Sequence, residues 1–145
     1  MILYLDTSAL VKRYVREAHS DEVVGWIEQA ELVGSSVLTQ VEMAATLAKA
    51  ARLQWVEIEG AKNAWQDFSE HWFSYTRLSV TPTSLERASR LAWDFGLRGY
   101  DAMHLAAAAI WQEMMEAPIT LATFDRELWL AAPKTGLVVW PEELK

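Results

Sequence analysis

Residues 1–8 read MILYLDTS: four apolar residues in a row, Ile2 to Leu5, followed at once by the carboxylate of Asp6. A short uninterrupted apolar run is what a parallel strand covered on both faces requires, because neither side of it meets water. A charged residue directly beyond such a strand is seldom buried without a partner. Open parallel sheets bind their ligands beyond the carboxyl ends of the strands, so Asp6 stands at a position suited to chemistry.

Outward from this stretch, strand-like and helix-like segments alternate. Helical spacing covers residues 8–15 and 20–30, the second with Val23, Val24, Ile27 and Ala30 on one face. Residues 32–37 form a second strand, and Thr39 opens a strong helix through about residue 53. A long helix spans 58–75, a third strand 78–81 ends at Pro82, and a helix over 83–95 stops at Gly96. The helix over 101–116 is very apolar and ends at Pro118. A fourth strand over 119–122, a short helix over 126–131 and a last strand over 137–140 complete the pattern. Such alternation predicts a three-layer α/β/α fold with a central parallel sheet of four to five strands. No repeat, low-complexity stretch or linker interrupts it, so residues 1–145 read as one domain.

Composition narrows the function. Hydrophobic residues make up 52% of the chain, enough for a core without disulfides, and there is no cysteine. Thiol catalysis and cysteine zinc sites are thereby excluded, and a reducing compartment is suited. The start has no basic region of the signal-peptide kind, and the longest apolar run, from Leu105 to Trp111, falls short of the roughly 18 residues a membrane span needs. A soluble, cytoplasmic protein is expected, with no membrane partner. The net charge of −7 speaks against a protein that grips nucleic acid through a basic surface. Basic residues do not cluster near the candidate acids, although bound cations would offset part of the negative charge.

Four acids can meet at one edge of the sheet: Asp6 after the first strand, Glu42 at the start of the helix after the second, Asp101 at the start of the apolar helix, and Asp125 just past the fourth strand. Carboxylates so gathered cannot all stay ionised without counter-ions. Magnesium, a hard cation that prefers oxygen ligands, resolves the conflict, and paired ions can activate water for phosphodiester cleavage. Structural roles are open for the same residues. Thr39 and Glu42 have capping-box spacing, as do Thr83 and Glu86, and Asp101 and Asp125 both stand where helix caps belong.

The segments ILYLDTSALVKRY, SSVLTQVEMAATLAKA, LRGYDAMHLAAAAI and TLATFDREL resemble, in order, the motif blocks of the PIN-domain ribonucleases, most closely the VapC-type toxins of type II toxin–antitoxin pairs. This resemblance implies a PIN-like fold and a metal-dependent endoribonuclease that leaves a 5′-phosphate and a 3′-hydroxyl. It implies that Asp6, Glu42, Asp101 and Asp125 bind Mg2+, with Mn2+ as an alternative, and that Thr7 and Thr123 hold the carboxylates or a water. An RNA substrate, a small antitoxin covering the acidic groove and a homodimer follow from it. Residues 54–81, rich in tryptophan, match no block.

Two further groups invite roles. His104 lies one helical turn after Asp101 and suits either a hydrogen-bonded core position or acid–base work, while His19 and His71 read as surface residues. Trp65, Phe68, Trp72 and Tyr75 form a helical stripe that suits the core, with at least one of the two tryptophans expected to serve an interface. Two other function classes compete with the nuclease. A phosphatase using Asp6 as a nucleophile would want a second aspartate where Ser8 stands, and a response-regulator-like protein would want a lysine late in the sheet. A non-catalytic binding module would keep the acids only as caps.

Overall fold

The computed structural model describes residues 1–145. Five strands, β1 (Ile2–Leu5), β2 (Leu32–Ser36), β3 (Thr76–Leu78), β4 (Ile119–Ala122) and β5 (Val138–Trp140), form one sheet in the order β3-β2-β1-β4-β5, with every pairing parallel. The apolar run at the start of the chain becomes the central strand, with Leu3, Tyr4 and Leu5 fully buried. From β1 the chain steps outward through β2 to β3, then crosses back to lay β4 and β5 on the other side. The strand order therefore reverses between β1 and β4, and a crevice opens there beyond the strand ends.

Seven helices cover the two faces: α1 (Thr7–Tyr14), α2 (Ser20–Gln29), α3 (Thr39–Arg52), α4 (Ile58–Trp72), α5 (Pro82–Phe95), α6 (Gly99–Met115) and α7 (Arg126–Ala131). Because successive side chains of a strand point to opposite faces, the sheet feeds two cores. Leu3 and Leu5 pack with Leu10, Met43, Leu47, Phe68 and Trp72 from α1, α3 and α4. Tyr4, Ile119 and Leu121 pack with Ala88, Leu105, Trp111 and Leu128 from α5, α6 and α7. The alanines of α6 let it lie close to the sheet. Gly34 in β2 serves the same approach, since a Cβ there would stand 2.7 Å from the Trp111 ring.

Several boundaries differ from expectation for identifiable reasons. Pro82 takes the first position of α5, which makes Thr81 the cap and draws it out of the sheet. The third strand is therefore Thr76–Leu78 rather than 78–81, and the capping box pairs Thr81 with Ser84, not Thr83 with Glu86. The long helix ends at Trp72 because β3 begins its pairing with β2 at Thr76. Val24 is 37% exposed, on a side of α2 turned away from the core.

The aromatic stripe is core. Phe68, Trp72 and Tyr75 are buried, and the Trp72 indole N–H donates to Gln40 Oε1 at 3.2 Å. An interface role for Trp72 is thereby overturned, because α4 turns this face onto α1 and α3; Trp65 alone of the stripe is only partly buried. Trp72→Ala should cost about 3–5 kcal/mol in urea unfolding, whereas Trp55→Ala, at an exposed indole, should stay within about 0.5 kcal/mol of the wild type. Equal stability of the two variants would contradict this packing.

Candidate active site

Asp6 ends the central strand with a side chain only 3% exposed, and three donors hold it. As the cap of α1, its Oδ1 accepts from the Ala9 backbone N–H at 3.0 Å and from Ser8 Oγ at 2.7 Å, while Oδ2 accepts from Thr123 Oγ1 at 2.7 Å. Burial pushes the Asp6 carboxyl above the usual carboxylate range; the imidazole of His104 and the three hydrogen bonds oppose that shift without cancelling it. Thr123 and Ser8 each carry a second load. Thr123 Oγ1 accepts from the Asp125 backbone N–H at 3.0 Å, and Ser8 Oγ accepts from that of Phe124 at 2.9 Å. The loop after β4 is thus tied to the end of β1 through two hydroxyls.

Thr7 and Thr123 are the hydroxyls expected to hold the carboxylates or a water; Thr123 holds Asp6, and the second side-chain hydroxyl on that carboxylate comes from Ser8. With Asp6 as cap, Ser8 at the second helical position reaches back to the carboxylate. Thr7 lines the pocket, but its buried Oγ1 has no hydrogen-bond partner.

Glu42 is not in a capping box. Leu38 holds the cap position of α3 without a side-chain cap, and Thr39 Oγ1 bonds Ser35 Oγ at 2.7 Å. Glu42 is therefore free of the helix end, and its Oε1 meets His104 Nε2 at 2.7 Å. On the other side of the ring, His104 Nδ1 lies 2.7 Å from the Tyr4 hydroxyl. Burial first, and then the charge of Asp6, hold the Tyr4 phenol well above its ordinary pKa, so Tyr4 keeps its proton. Tyr4 accordingly donates to Nδ1 and the Nε2–H donates to Glu42, a tautomer assigned from this network. His104 is both a buried, hydrogen-bonded residue and a wall of the site.

Asp101 does not cap α6. The helix begins at Gly99 with Arg98 in the cap position, which puts Asp101 in the first turn, where the helix dipole favours its charge. Asp125 is a cap, with Oδ1 accepting from the Leu128 backbone N–H at 3.1 Å. Arg98 joins the two acids, its Nε 3.1 Å from Asp101 Oδ2 and its Nη2 2.6 Å from Asp125 Oδ2. Partial burial and then the nearby Asp125 charge raise the Asp101 pKa, with Arg98 acting against them.

Asp6, Glu42, Asp101 and Asp125 line one pocket of about 330 Å³, shared with Thr7, Ser8, Arg98 and His104, at the crevice between β1 and β4. No three carboxylate or imidazole groups close on a single point, because Ser8 and Thr123 occupy Asp6, His104 holds Glu42 and Arg98 holds the remaining pair. Arg98, Ser8 and Tyr4 were not singled out from sequence. Arg98 stands three residues before Asp101, the spacing of an intrahelical ion pair, and a tyrosine inside an apolar strand needs a partner for its hydroxyl. His19 and His71 lie outside the pocket. His19 pairs with Glu22 at 2.8 Å and stacks on Phe124, while His71, less exposed than expected, bonds the Tyr14 hydroxyl at 3.0 Å.

The chain matches the family model for the PIN domain over residues 3–132. It is 33% identical over 146 residues to Ribonuclease VapC45 of Mycobacterium tuberculosis (strain CDC 1551 / Oshkosh), covering 99% of this chain and 97% of that one. Ribonuclease VapC49 of M. tuberculosis (strain ATCC 25618 / H37Rv) matches with the same identity and coverage. PAE2754 from Pyrobaculum aerophilum shares the fold at a TM-score of 0.65 and 29% identity, over 96% of this chain and 83% of that one. A toxin–antitoxin complex from Klebsiella pneumoniae does so at 0.65 and 14% identity, over 99% of each chain. The protein belongs to the PIN-domain family, and within it to the VapC-type ribonucleases.

The raised carboxyls make a stability prediction for the protein in EDTA. A carboxyl whose folded pKa is raised favours folding when protonated; that contribution is complete below the unfolded value of about 3.8 and is lost as pH rises through the folded value. Relative to the wild type, Asp6→Asn should therefore gain stability as pH rises from the carboxylate range to pH 7, read as the difference between the two melting temperatures. A difference that does not change with pH would contradict the raised carboxyl.

Proposed function

We propose that the protein is a divalent-cation-dependent endoribonuclease and the toxin of a toxin–antitoxin pair, its 145 residues acting as one nuclease unit. The observation that carries this reading is the meeting of Asp6, Glu42, Asp101 and Asp125 in one pocket at the point where the sheet order reverses. All-oxygen donors suit Mg2+ or Mn2+, and two features of the pocket fit such a cation. The guanidinium of Arg98 already spans Asp101 and Asp125 as a positive charge would, and the unpaired Thr7 hydroxyl leaves a donor for a water. A bound cation would supply an activated water and offset charge on the leaving oxygen. The chain's own part is orientation. Ser8, Ala9 and Thr123 fix the two oxygens of Asp6, and His104, itself fixed by Tyr4, aims Glu42.

An aspartyl-phosphate mechanism is less well supported, since both oxygens of Asp6 are engaged and Ser8 stands where a second aspartate would be wanted. The partners proposed are RNA, a small antitoxin and a second copy of this chain. The antitoxin would cover the acidic pocket, and an apolar groove of about 310 Å³ between α3 and α4, lined by Leu47, Ala51, Ile58 and Trp65, suits an apolar segment of the same partner. A cytoplasmic site of action is proposed with it; no helix is long and apolar enough to cross a membrane.

Incubation with a total RNA pool should show cleavage with Mg2+ or Mn2+ and none with chelator. Asp101→Asn should abolish it with an unchanged circular dichroism spectrum, and wild-type rates from that variant would overturn the assignment. Magnesium at about 100 times its dissociation constant should add roughly 2.7 kcal/mol to the wild type, or on the order of 5–10 °C in melting temperature. Asp6→Asn/Asp101→Asn should lose that response.

A further inference from the structure

Arg98 is the only arginine or lysine lining the pocket that holds the four carboxylates. Its side chain is 76% exposed, so the bridge to Asp101 and Asp125 is not a buried structural pair, and exposed ion pairs contribute little to folding. The helix start does not need it either: Arg98 occupies the cap position of α6 without a side-chain cap bond. Among the other basic residues, none of which lines the pocket, Arg87 pairs with Glu113, Arg16 with Asp21 and Lys12 with Glu17. A phosphodiester entering this acidic pocket therefore meets one positive side chain, and a guanidinium fork matches phosphate oxygens.

Resting on the nuclease reading above, we infer that Arg98 is a substrate-phosphate ligand, held in reserve on Asp101 and Asp125 until divalent cations take those carboxylates. Two positive groups cannot both occupy the space between the two acids without repulsion, so cation and guanidinium compete for them. Displaced from the carboxylates, the exposed side chain keeps its anchor at the mouth of the pocket. Its nearest use there is the backbone of the bound RNA.

The test pairs cation binding with RNA kinetics in the wild type, Arg98→Gln and Arg98→Lys. Calorimetric titration of Mn2+ into RNA-free protein should give Arg98→Gln about tenfold tighter binding than the wild type. The same variant should show an RNA KM raised about tenfold, with kcat changed less, and its salt dependence of log KM should flatten by about 0.7, the value of one single-strand phosphate contact. Arg98→Lys, which keeps the charge without the fork, should fall between. Unchanged or weaker Mn2+ binding by Arg98→Gln, or an unchanged KM, overturns the inference while leaving the nuclease reading intact. A wild type that neither binds Mn2+ nor cleaves RNA sinks both.

Discussion

A carboxylate almost wholly removed from water at the end of the central strand sets the terms for the rest of this structure. Burying the charge of Asp6 is unfavourable unless donors replace the lost solvent, and they come from two elements distant in sequence. Ser8 and Ala9 belong to α1, which Asp6 itself caps, and Thr123 belongs to the loop after β4. The same hydroxyls of Ser8 and Thr123 receive the backbone N–H groups of Phe124 and Asp125. Holding one carboxylate therefore fixes the start of α1, the exit of β4 and the cap of α7 together. The parallel order that puts β4 beside β1 makes this possible.

The other acids are held by different means, and the difference bears on chemistry. Glu42 is aimed by an imidazole whose far nitrogen is fixed by a buried phenol, a chain reaching from the core to the pocket. Asp101 and Asp125 share one exposed guanidinium, which is far easier to move. One side of the pocket is thus tied to the core and the other to a single exposed side chain, an arrangement that suits the cation and phosphate of the proposed reaction. The net charge of −7, which argued against RNA binding by a basic surface, is compatible with the proposed site, whose positive charge would come from one arginine and bound cations.

Much of this was legible in the residues because the strongest patterns are local. The runs Ile2–Leu5 and Ile119–Ala122 are strands to the residue, since continuous apolar character has one comfortable place in a parallel sheet. The convergence of Asp6, Glu42, Asp101 and Asp125 followed from their places at strand ends and helix starts. What escaped depended on contacts between distant segments. The capping-box spacing of Thr39 and Glu42 is real, but the turn after β2 puts the helix start one residue earlier and leaves Glu42 to His104, 62 positions away. Asp101 stands where a helix cap belongs at the start of the apolar run, yet α6 begins two residues earlier, at Gly99. The aromatic stripe suits the core by its spacing, and composition alone does not decide whether Trp65 or Trp72 serves an interface; the packing of α4 on α1 and α3 decides the burial of Trp72.

Anomalous diffraction from crystals grown with Mn2+ bears most directly on the central claim that the four carboxylates form a cation site. A manganese peak in the pocket between β1 and β4, bounded by Asp6, Glu42, Asp101 and Asp125, with Arg98 turned away from the acids, is the predicted result. Manganese bound only elsewhere on the surface, with Arg98 still bridging Asp101 and Asp125 at saturating metal, would contradict it.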